Sequence, residues 1–251
     1  GPVIWLKALI LAQRGAMDQS SVSSRALIEP DAVLAAVEEA RGQDGVPMTV
    51  EEWEACFPVN DLPPLPSRSQ SYTEEATYGA GLVLVLTLVF VTVTCWSAEH
   101  RGWVRLDDVS GISVTLIFTF SVIAVCSLLF VAFARAGEIE RSADTCYPIP
   151  SIVLERLKNG ETMEGLANVK GPYDSLTRDS FCVRCFVWRP RSVHNKESHH
   201  CDICQRCYWG FDHHCGVLGR CIVWGNMPCF SALIAMFMFG SAVSFFSFVS
   251  S

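Results

Sequence analysis

Three long runs of uncharged, mostly apolar residues constrain the fold of this chain more than any other feature. They cover residues 76–98, 111–134 and 229–251. Each is about as long as the ~20 residues that a helix needs to cross the hydrocarbon core of a bilayer. At these lengths only a helix can cross, because lipid offers no partners for free backbone amides and carbonyls. The sequence therefore predicts an α-helical integral membrane protein with three transmembrane helices; buried helices of a soluble protein are the alternative.

The segment before the first run differs from the rest in charge. Residues 1–75 carry 5 basic and 12 acidic residues, so the net charge of −7 comes wholly from them. In this acidic region we expect two short soluble helices between residues 28 and 57, the second opened by a capping box of Thr49 and Glu52. A proline-rich linker over residues 58–71 leads to the first span.

The connections between the runs are unequal in length. Only residues 99–110 join the first two spans, which predicts a tight antiparallel pair. The segment between the second and third spans is long and must carry the chemistry. It begins with a polar connector, residues 135–181, in which we expect a helix near residues 152–158, and continues with a cysteine-rich segment, residues 182–228.

The cysteine-rich segment has the spacing of a metal site. Seven of the chain's twelve cysteines and five of its six histidines lie within residues 182–221. Two cysteines separated by two residues can converge on one tetrahedral zinc ion. Such pairs occur in Cys182-x-x-Cys185 and in Cys201-x-x-Cys204-x-x-Cys207. A disulfide framework is the alternative, but it needs an oxidising compartment and would leave one of the seven thiols unpaired.

One cysteine of this segment is a candidate nucleophile. Two closed zinc sites need eight ligands, so seven cysteines and five histidines leave some thiol or imidazole free. Cys215 is the best candidate because it directly follows Asp212, His213 and His214. A neighbouring carboxylate and imidazoles are the setting in which a thiol is activated for attack.

The motifs of this segment also match a known family. In chain order they are Cys182-x-x-Cys185, Arg189-Pro190, His200-Cys201-x-x-Cys204-x-x-Cys207, Asp212-His213-His214-Cys215, Cys221 and Asn226-x-x-x-Phe230. Residues 182–230 thus resemble the DHHC cysteine-rich domain of protein palmitoyltransferases. With two spans before this domain and one after it, the likeness extends over residues 76–251. The resemblance implies four spans in the whole protein and a small cytosolic two-zinc domain of short hairpins and loops.

The resemblance also implies roles for individual residues. It implies two structural zinc ions with interleaved ligands. One set is Cys182, Cys185, His200 and Cys207, and the other is Cys201, Cys204, His214 and Cys221. Cys215 then remains as the nucleophile, His213 acts as its general base, and Asp212 orients and polarises His213.

The activity that the resemblance implies is protein S-acyltransferase, specifically protein-cysteine S-palmitoyltransferase. The Cys215 thiolate attacks a long-chain acyl-CoA such as palmitoyl-CoA, and a cysteine of a protein substrate then takes the acyl group. The expected partners are acyl-CoA, the lipid bilayer and proteins with membrane-proximal cysteines, but not nucleic acid. Zinc ligands must be reduced thiolates, which places the cysteine-rich segment in the cytosol, at an endomembrane (Golgi or ER) or the plasma membrane.

Several departures from the family pattern support an alternative, a catalytically inactive membrane module that binds zinc and partner proteins. Gly216-Val217 stands where Pro-Trp is usual, and Arg135-Ala136-Gly137 stands where Asp-Pro-Gly is usual. Arg220 and Val223 also depart from the common residues, and about five residues are inserted near residues 193–198. A nucleic-acid zinc finger is disfavoured by the spans and by the lack of a recognition-helix pattern. Because the chain lacks a starting methionine and stops within or just after an apolar run, we expect it to be a fragment.

Overall fold

The structure is a computed structural model that describes residues 48–101, 109–171, 178–192 and 195–251. The first predicted N-terminal helix and most of the predicted 99–110 loop lie outside the described residues. The described part of the chain forms two compact units. The first comprises residues 48–66 and Ile139–His200, and the second comprises Ser67–Glu138 and Cys201–Ser251.

The first unit opens with helix α1, Val50–Cys56, at the position that the capping box predicts. The Thr49 side chain accepts a hydrogen bond from the Glu52 amide, and the Glu52 carboxylate accepts one from the Thr49 amide, which confirms the box. Trp53, the buried residue of α1, stacks on Tyr147 with ring centroids 5.9 Å apart. This stacking attaches the short helix to the rest of its unit.

The remainder of the first unit is a small mixed layer. It contains the helices α2, Ala143–Cys146, and α3, Ser151–Asn159, the second of which confirms the helix predicted near residues 152–158. The strands β1, Val169–Lys170, β2, Ser180–Cys182, and β3, Val187–Arg189, form an antiparallel sheet in the order β1-β2-β3. Phe181 and Val187 are fully buried in this layer. The sheet holds the turn that carries Cys182 and Cys185.

Three long helices dominate the second unit, and each is long and apolar enough to cross a membrane. They are α4, Gln70–His100, α5, Val109–Phe133, and α6, Met227–Val249. Large apolar side chains on their outer surfaces are exposed, among them Leu88, Val122 and Phe246, at 62–67%. Exposed apolar surface on helices of this length and composition is typical of membrane-spanning segments. The predicted α-helical membrane architecture is thereby confirmed.

Helix α4 begins six residues before the predicted span, in the part of the chain predicted to be linker. Its first turns are polar and include Glu74 and Glu75. Hydrophobicity locates only the part of a helix that meets lipid, so it does not reveal polar turns that continue the helix beyond the membrane.

Four short strands carry most of the predicted catalytic and metal-binding residues. They are β4, His199–Cys201, β5, Arg206–Tyr208, β6, Phe211–Cys215, and β7, Arg220–Val223. Strands β6 and β7 pair antiparallel, with His214 opposite Cys221 and Cys215 opposite Arg220. The register shifts between Phe211 and His213, which leaves Asp212 as an extra residue in a β-bulge.

Candidate active site and metal centre

The β6–β7 hairpin carries the Asp-His-His-Cys motif on a single strand. Alternate side chains of a strand point to opposite faces, so His213 and Cys215 share one face and His214 lies on the other. This alternation separates the two adjacent histidines of the motif. One face of the strand can therefore serve a reaction at Cys215 while the other face serves a metal site.

Asp212 and His213 form a close pair. Nδ1 of His213 lies 2.7 Å from Oδ2 of Asp212. A carboxylate can only accept a hydrogen bond, so Nδ1 carries the proton and Nε2 of the neutral ring is left as the basic nitrogen. The bulge at Asp212 brings together two neighbouring side chains that a regular strand would direct to opposite faces. The His213 ring also meets Phe230 edge to face, with centroids 5.6 Å apart.

Cys215 is the last residue of β6 and lies beside the long helices. It is half-buried and packs against an apolar cluster that includes Val83, Leu128 and Leu233 of the three long helices. Its carbonyl accepts hydrogen bonds from the amides of Leu218 (3.1 Å) and Gly219 (2.8 Å), which fixes the turn after it. The thiol is thus at the boundary between a polar hairpin and an apolar helical core.

Four predicted ligands converge in the second unit. They are Cys201, Cys204, His214 and Cys221, whose ligand atoms all lie within 4.8 Å of one another. Nδ1 of His214 lies 3.5 Å from Sγ of Cys201 and of Cys204, and 3.6 Å from Sγ of Cys221. The hairpin register brings His214 and Cys221 together as a cross-strand pair.

The chemistry of this donor set suits a divalent cation. Sγ of Cys204 and Sγ of Cys221 are 3.5 Å apart, far beyond the length of a disulfide bond. The hydrogen bond with the neighbouring Cys201 sulfur raises the pKa of Cys204 to about 11 and also raises the pKa of Cys221. Cysteine ligands bind a metal as thiolates, so a cation bound here would release their protons. Three sulfurs and one imidazole match the ligand set of tetrahedral zinc.

A second group of predicted ligands lies in the first unit. Nδ1 of His200 is 3.6 Å from Sγ of Cys182 and 3.3 Å from Sγ of Cys185, and all three residues are buried. Their ligand atoms also lie within 4.8 Å of one another. The fourth predicted ligand, Cys207, is buried in the second unit.

The turns at Cys182–Cys185 and Cys201–Cys204 share one backbone conformation. Phe186 and Gln205 each follow the second cysteine of a pair, and they have left-handed φ values of +56° and +53°. Each donates its amide to the carbonyl of the first cysteine, at 2.7 Å. Neither position is a glycine, so the sequence carried no signal for these conformations.

Two further residues at the site were not predicted from the sequence. Glu75 of α4 places Oε2 2.9 Å from Nε2 of His214. Arg220 donates from Nε to the carbonyl of Ala132, at 2.9 Å, and its guanidinium lies 4.2 Å from the centre of the Tyr72 ring. Arg220 therefore satisfies one of the last carbonyls of α5, which no intrahelical bond can reach. No local pattern connects these residues, which are distant in sequence.

Asn226 stabilises the end of the hairpin. It is 2% exposed, its side-chain oxygen accepts the Val223 amide at 2.9 Å, and its side-chain nitrogen donates to the Cys221 carbonyl at 3.0 Å. A buried side-chain amide with both groups satisfied holds the backbone in one conformation. Asn226 thus fixes Cys221 just before α6 begins.

Comparison with known proteins points to one family. Residues 175–251 match the sequence model of the family described as DHHC palmitoyltransferase. The probable protein S-acyltransferase 6 of Arabidopsis thaliana is 26% identical over 167 residues, which cover 65% of this chain and 38% of that protein. Palmitoyltransferase ZDHHC18-A of Danio rerio is 25% identical over 174 residues, 63% of this chain and 32% of that protein. Palmitoyltransferase PFA3 of Eremothecium gossypii is 40% identical over 57 residues, 23% of this chain and 16% of that protein. The chain thus spans well under half the length of these relatives.

Proposed function

The chain belongs to the DHHC palmitoyltransferase family through residues 175–251, and from this premise we propose that it forms part of a protein S-acyltransferase. In the proposed reaction, Cys215 receives a long-chain acyl group, such as palmitoyl, from acyl-CoA. It then passes the group to cysteines of other proteins. The observation that carries the proposal is the Asp212–His213 pair, 2.7 Å apart, on the strand that ends in Cys215.

Both halves of the reaction need the same base. In the first half, Nε2 of His213 takes the Cys215 proton, the thiolate attacks the thioester carbonyl of acyl-CoA, and the CoA thiolate leaves and is protonated. In the second half, a substrate thiol loses its proton, attacks the acyl-Cys215 thioester and releases the Cys215 thiolate. Because each half exchanges one thioester for another, His213 serves twice. Asp212 keeps the proton on Nδ1 and stabilises the imidazolium that forms.

The surroundings of Cys215 suit a lipid substrate. The thiol packs against the apolar cluster of the three long helices, where a fatty tail can avoid water. Each buried methylene group contributes about 0.8 kcal/mol, which favours long acyl chains over short ones. The protein substrates should therefore present cysteines close to the membrane.

The proposed metal ions are structural. Two zinc ions would be held by the two predicted ligand sets, with Cys182, Cys185 and His200 in one and Cys201, Cys204, His214 and Cys221 in the other. Cys207 is the proposed fourth ligand of the first set. When bound, zinc would hold the cysteine turns and the β6–β7 hairpin in place and so contribute folding free energy. Closed four-ligand sites leave no position for substrate.

We place the cysteine-rich segment on the cytosolic side of an endomembrane (Golgi or ER) or plasma membrane. The support for this is chemical, because free thiols persist in a reducing compartment. The proposed zinc ligands Cys201, Cys204 and Cys221 would have to be reduced thiolates, which suits such a compartment.

Self-acylation tests the proposal directly. The purified full chain is incubated in detergent with an alkynyl palmitoyl-CoA analogue, and the label is tested for release by neutral hydroxylamine, which cleaves thioesters. We expect a hydroxylamine-sensitive label that disappears in Cys215→Ser and persists in Cys229→Ser, whose thiol packs against the same apolar cluster.

The same experiment tests the alternative of an inactive zinc module, which Gly216-Val217 favours. A chain that binds zinc but takes no label on Cys215 would support that module and overturn the acyltransferase. Label that stays in Cys215→Ser would place the acyl group on another cysteine and contradict the proposed mechanism.

A further inference from the structure

The polar first turns of α4 present one face to the β6–β7 hairpin. Tyr72, Glu75, Ala76 and Gly79 are spaced three, four and seven residues apart and therefore share a helix face. All four contact the stretch of hairpin at residues 214–220. We call this set the docking face of α4.

Two of these contacts bring backbone against backbone. A Cβ atom at Gly79 would overlap the carbonyl oxygen of Val217. One at Gly219, whose φ is +59°, would overlap the backbone nitrogen of Ala76 and lie 2.9 Å from the Tyr72 carbonyl oxygen. Only glycine allows approaches this close. The turn that follows Cys215 is therefore packed directly onto α4.

The third contact is a hydrogen bond that fixes the state of a proposed metal ligand. Nδ1 of His214 faces the sulfurs of its cluster, and Nε2 lies 2.9 Å from Oε2 of Glu75. A neutral imidazole carries one proton, and a carboxylate at Nε2 holds the proton there. The lone pair of Nδ1 is then directed at the position a metal ion would occupy. Carboxylates that accept the second N–H of a ligating histidine commonly tune metal sites in this way.

We propose that Glu75 is a positioning residue that holds His214 in its metal-binding tautomer and orientation, and thereby ties α4 to the strand that carries Cys215. The metal-binding part of this inference rests only on the geometry around His214. Its consequence for Cys215 rests on the proposed function. Through Glu75 and the docking face, α4 fixes the hairpin whose first strand ends in Cys215.

Zinc release from the full-length chain in detergent tests the role of Glu75. The variants are Glu75→Ala, Glu75→Gln and the matched control Glu74→Ala. Glu74 directly precedes Glu75 and is exposed. Its Oε1 accepts a hydrogen bond from Nε2 of Gln70 in the same helix, at 2.6 Å. The rate is followed with excess chromogenic chelator, and the cobalt-substituted proteins are compared by their absorption spectra, which report ligand geometry.

We expect Glu75→Ala to release part of its zinc about 10- to 100-fold faster than the unmodified chain and to show an altered cobalt spectrum. Glu74→Ala should match the unmodified chain in both. The cobalt spectrum of Glu75→Gln should lie closer to that of the unmodified chain than the spectrum of Glu75→Ala does. The glutamine amide oxygen still accepts the hydrogen bond from Nε2 of His214, although it lacks the negative charge of the carboxylate.

Equal zinc release in Glu75→Ala and Glu74→Ala, with unchanged cobalt spectra, would overturn the inference even if acyl transfer fell. If Glu75→Ala does not fold, Glu75→Leu takes its place, because leucine keeps most of the side-chain volume but cannot accept the Nε2 proton, and Glu74→Leu is its control. Faster release in Glu75→Leu supports the role and equal release overturns it. A chain that takes no acyl label, yet shows the expected difference in zinc release, would refute the proposed function and leave this inference standing.

Discussion

Oε2 of Glu75 and Nε2 of His214 lie 2.9 Å apart, although the two residues are 139 positions apart in the chain. The bond joins the first turns of the first long helix to the strand that carries the Asp-His-His-Cys motif. On the same strand, His213 is held by Asp212, so each of the two adjacent histidines has its own carboxylate. The strand alternation and the two carboxylates together separate a proposed base from a proposed metal ligand.

Substitution of Cys215 should separate chemistry from metal binding. In Cys215→Ser we expect self-acylation to be abolished while the zinc content, measured by inductively coupled plasma mass spectrometry, equals that of the unmodified chain. The reason is that Cys215 lies outside both ligand clusters. A loss of about one equivalent of zinc would show that the proposed ligand sets are wrong.

Substitution of Cys204 should have the opposite effect. Cys204 is fully buried among three other candidate ligands. Structural zinc binds zinc-finger peptides with about 10–16 kcal/mol of apparent free energy, so a missing ligand should destabilise the cysteine-rich segment. We expect Cys204→Ala to lose zinc and to unfold at a lower temperature, as followed by circular dichroism. A stable Cys204→Ala protein with a full zinc content would contradict the interleaved sites.

The two histidines of the motif should respond differently to substitution and to pH. We expect His213→Ala to keep its zinc and fold but to lose most acyl transfer, since no base is then left to take the Cys215 proton. Raised pH should restore part of the activity, because hydroxide can take that proton in place of the base. His214→Ala should lose zinc and stay inactive at every pH, because hydroxide cannot replace a missing ligand. Recovery of His214→Ala, and not of His213→Ala, at high pH would mean that the roles are exchanged.

Asp212→Asn tests the orientation of the base. An amide can turn its nitrogen toward Nδ1 of His213 and so move the ring proton to Nε2, where it blocks proton uptake. In serine proteases the equivalent change lowers kcat by about four orders of magnitude. We expect single-turnover acylation to fall by at least about 100-fold with zinc retained. Acylation within about twofold of the unmodified rate would show that Asp212 does not govern His213.

Gly79→Ala tests the close packing of α4 on the turn after Cys215. Alanine is the better helix former by about 1 kcal/mol, so helix propensity alone predicts stabilisation. The added Cβ would overlap the carbonyl oxygen of Val217, so we expect lower thermal stability and slower acyl transfer instead. Gly81→Ala is the matched control, because nothing lies within 4 Å of a Cβ at that position. Equal stability of the two variants would refute the packing argument.

The extent of α4 shows where prediction from the sequence stopped. The uncharged run from residue 76 located the membrane-spanning part, but the helix begins at Gln70. Its polar first turns gave no hydrophobic signal, and residues 58–71 were therefore interpreted as linker. Those turns carry Tyr72 and Glu75, two residues of the docking face, so the contacts of Glu75 with the motif were not predicted.

What the sequence by itself determined is local in origin. Runs of apolar residues long enough to cross the hydrocarbon core predict spanning helices, and cysteines separated by two residues predict a metal-binding turn, because both signals depend on neighbours along the chain. Only the tertiary structure decided which carboxylate meets which histidine and that Gly79 lies against Val217. It also decided that a bulge brings Asp212 to His213. The contacts between distant residues arise because separate helices and strands pack together. Neither these contacts nor the bulge produces a periodic pattern or a residue spacing, so the sequence alone does not predict them.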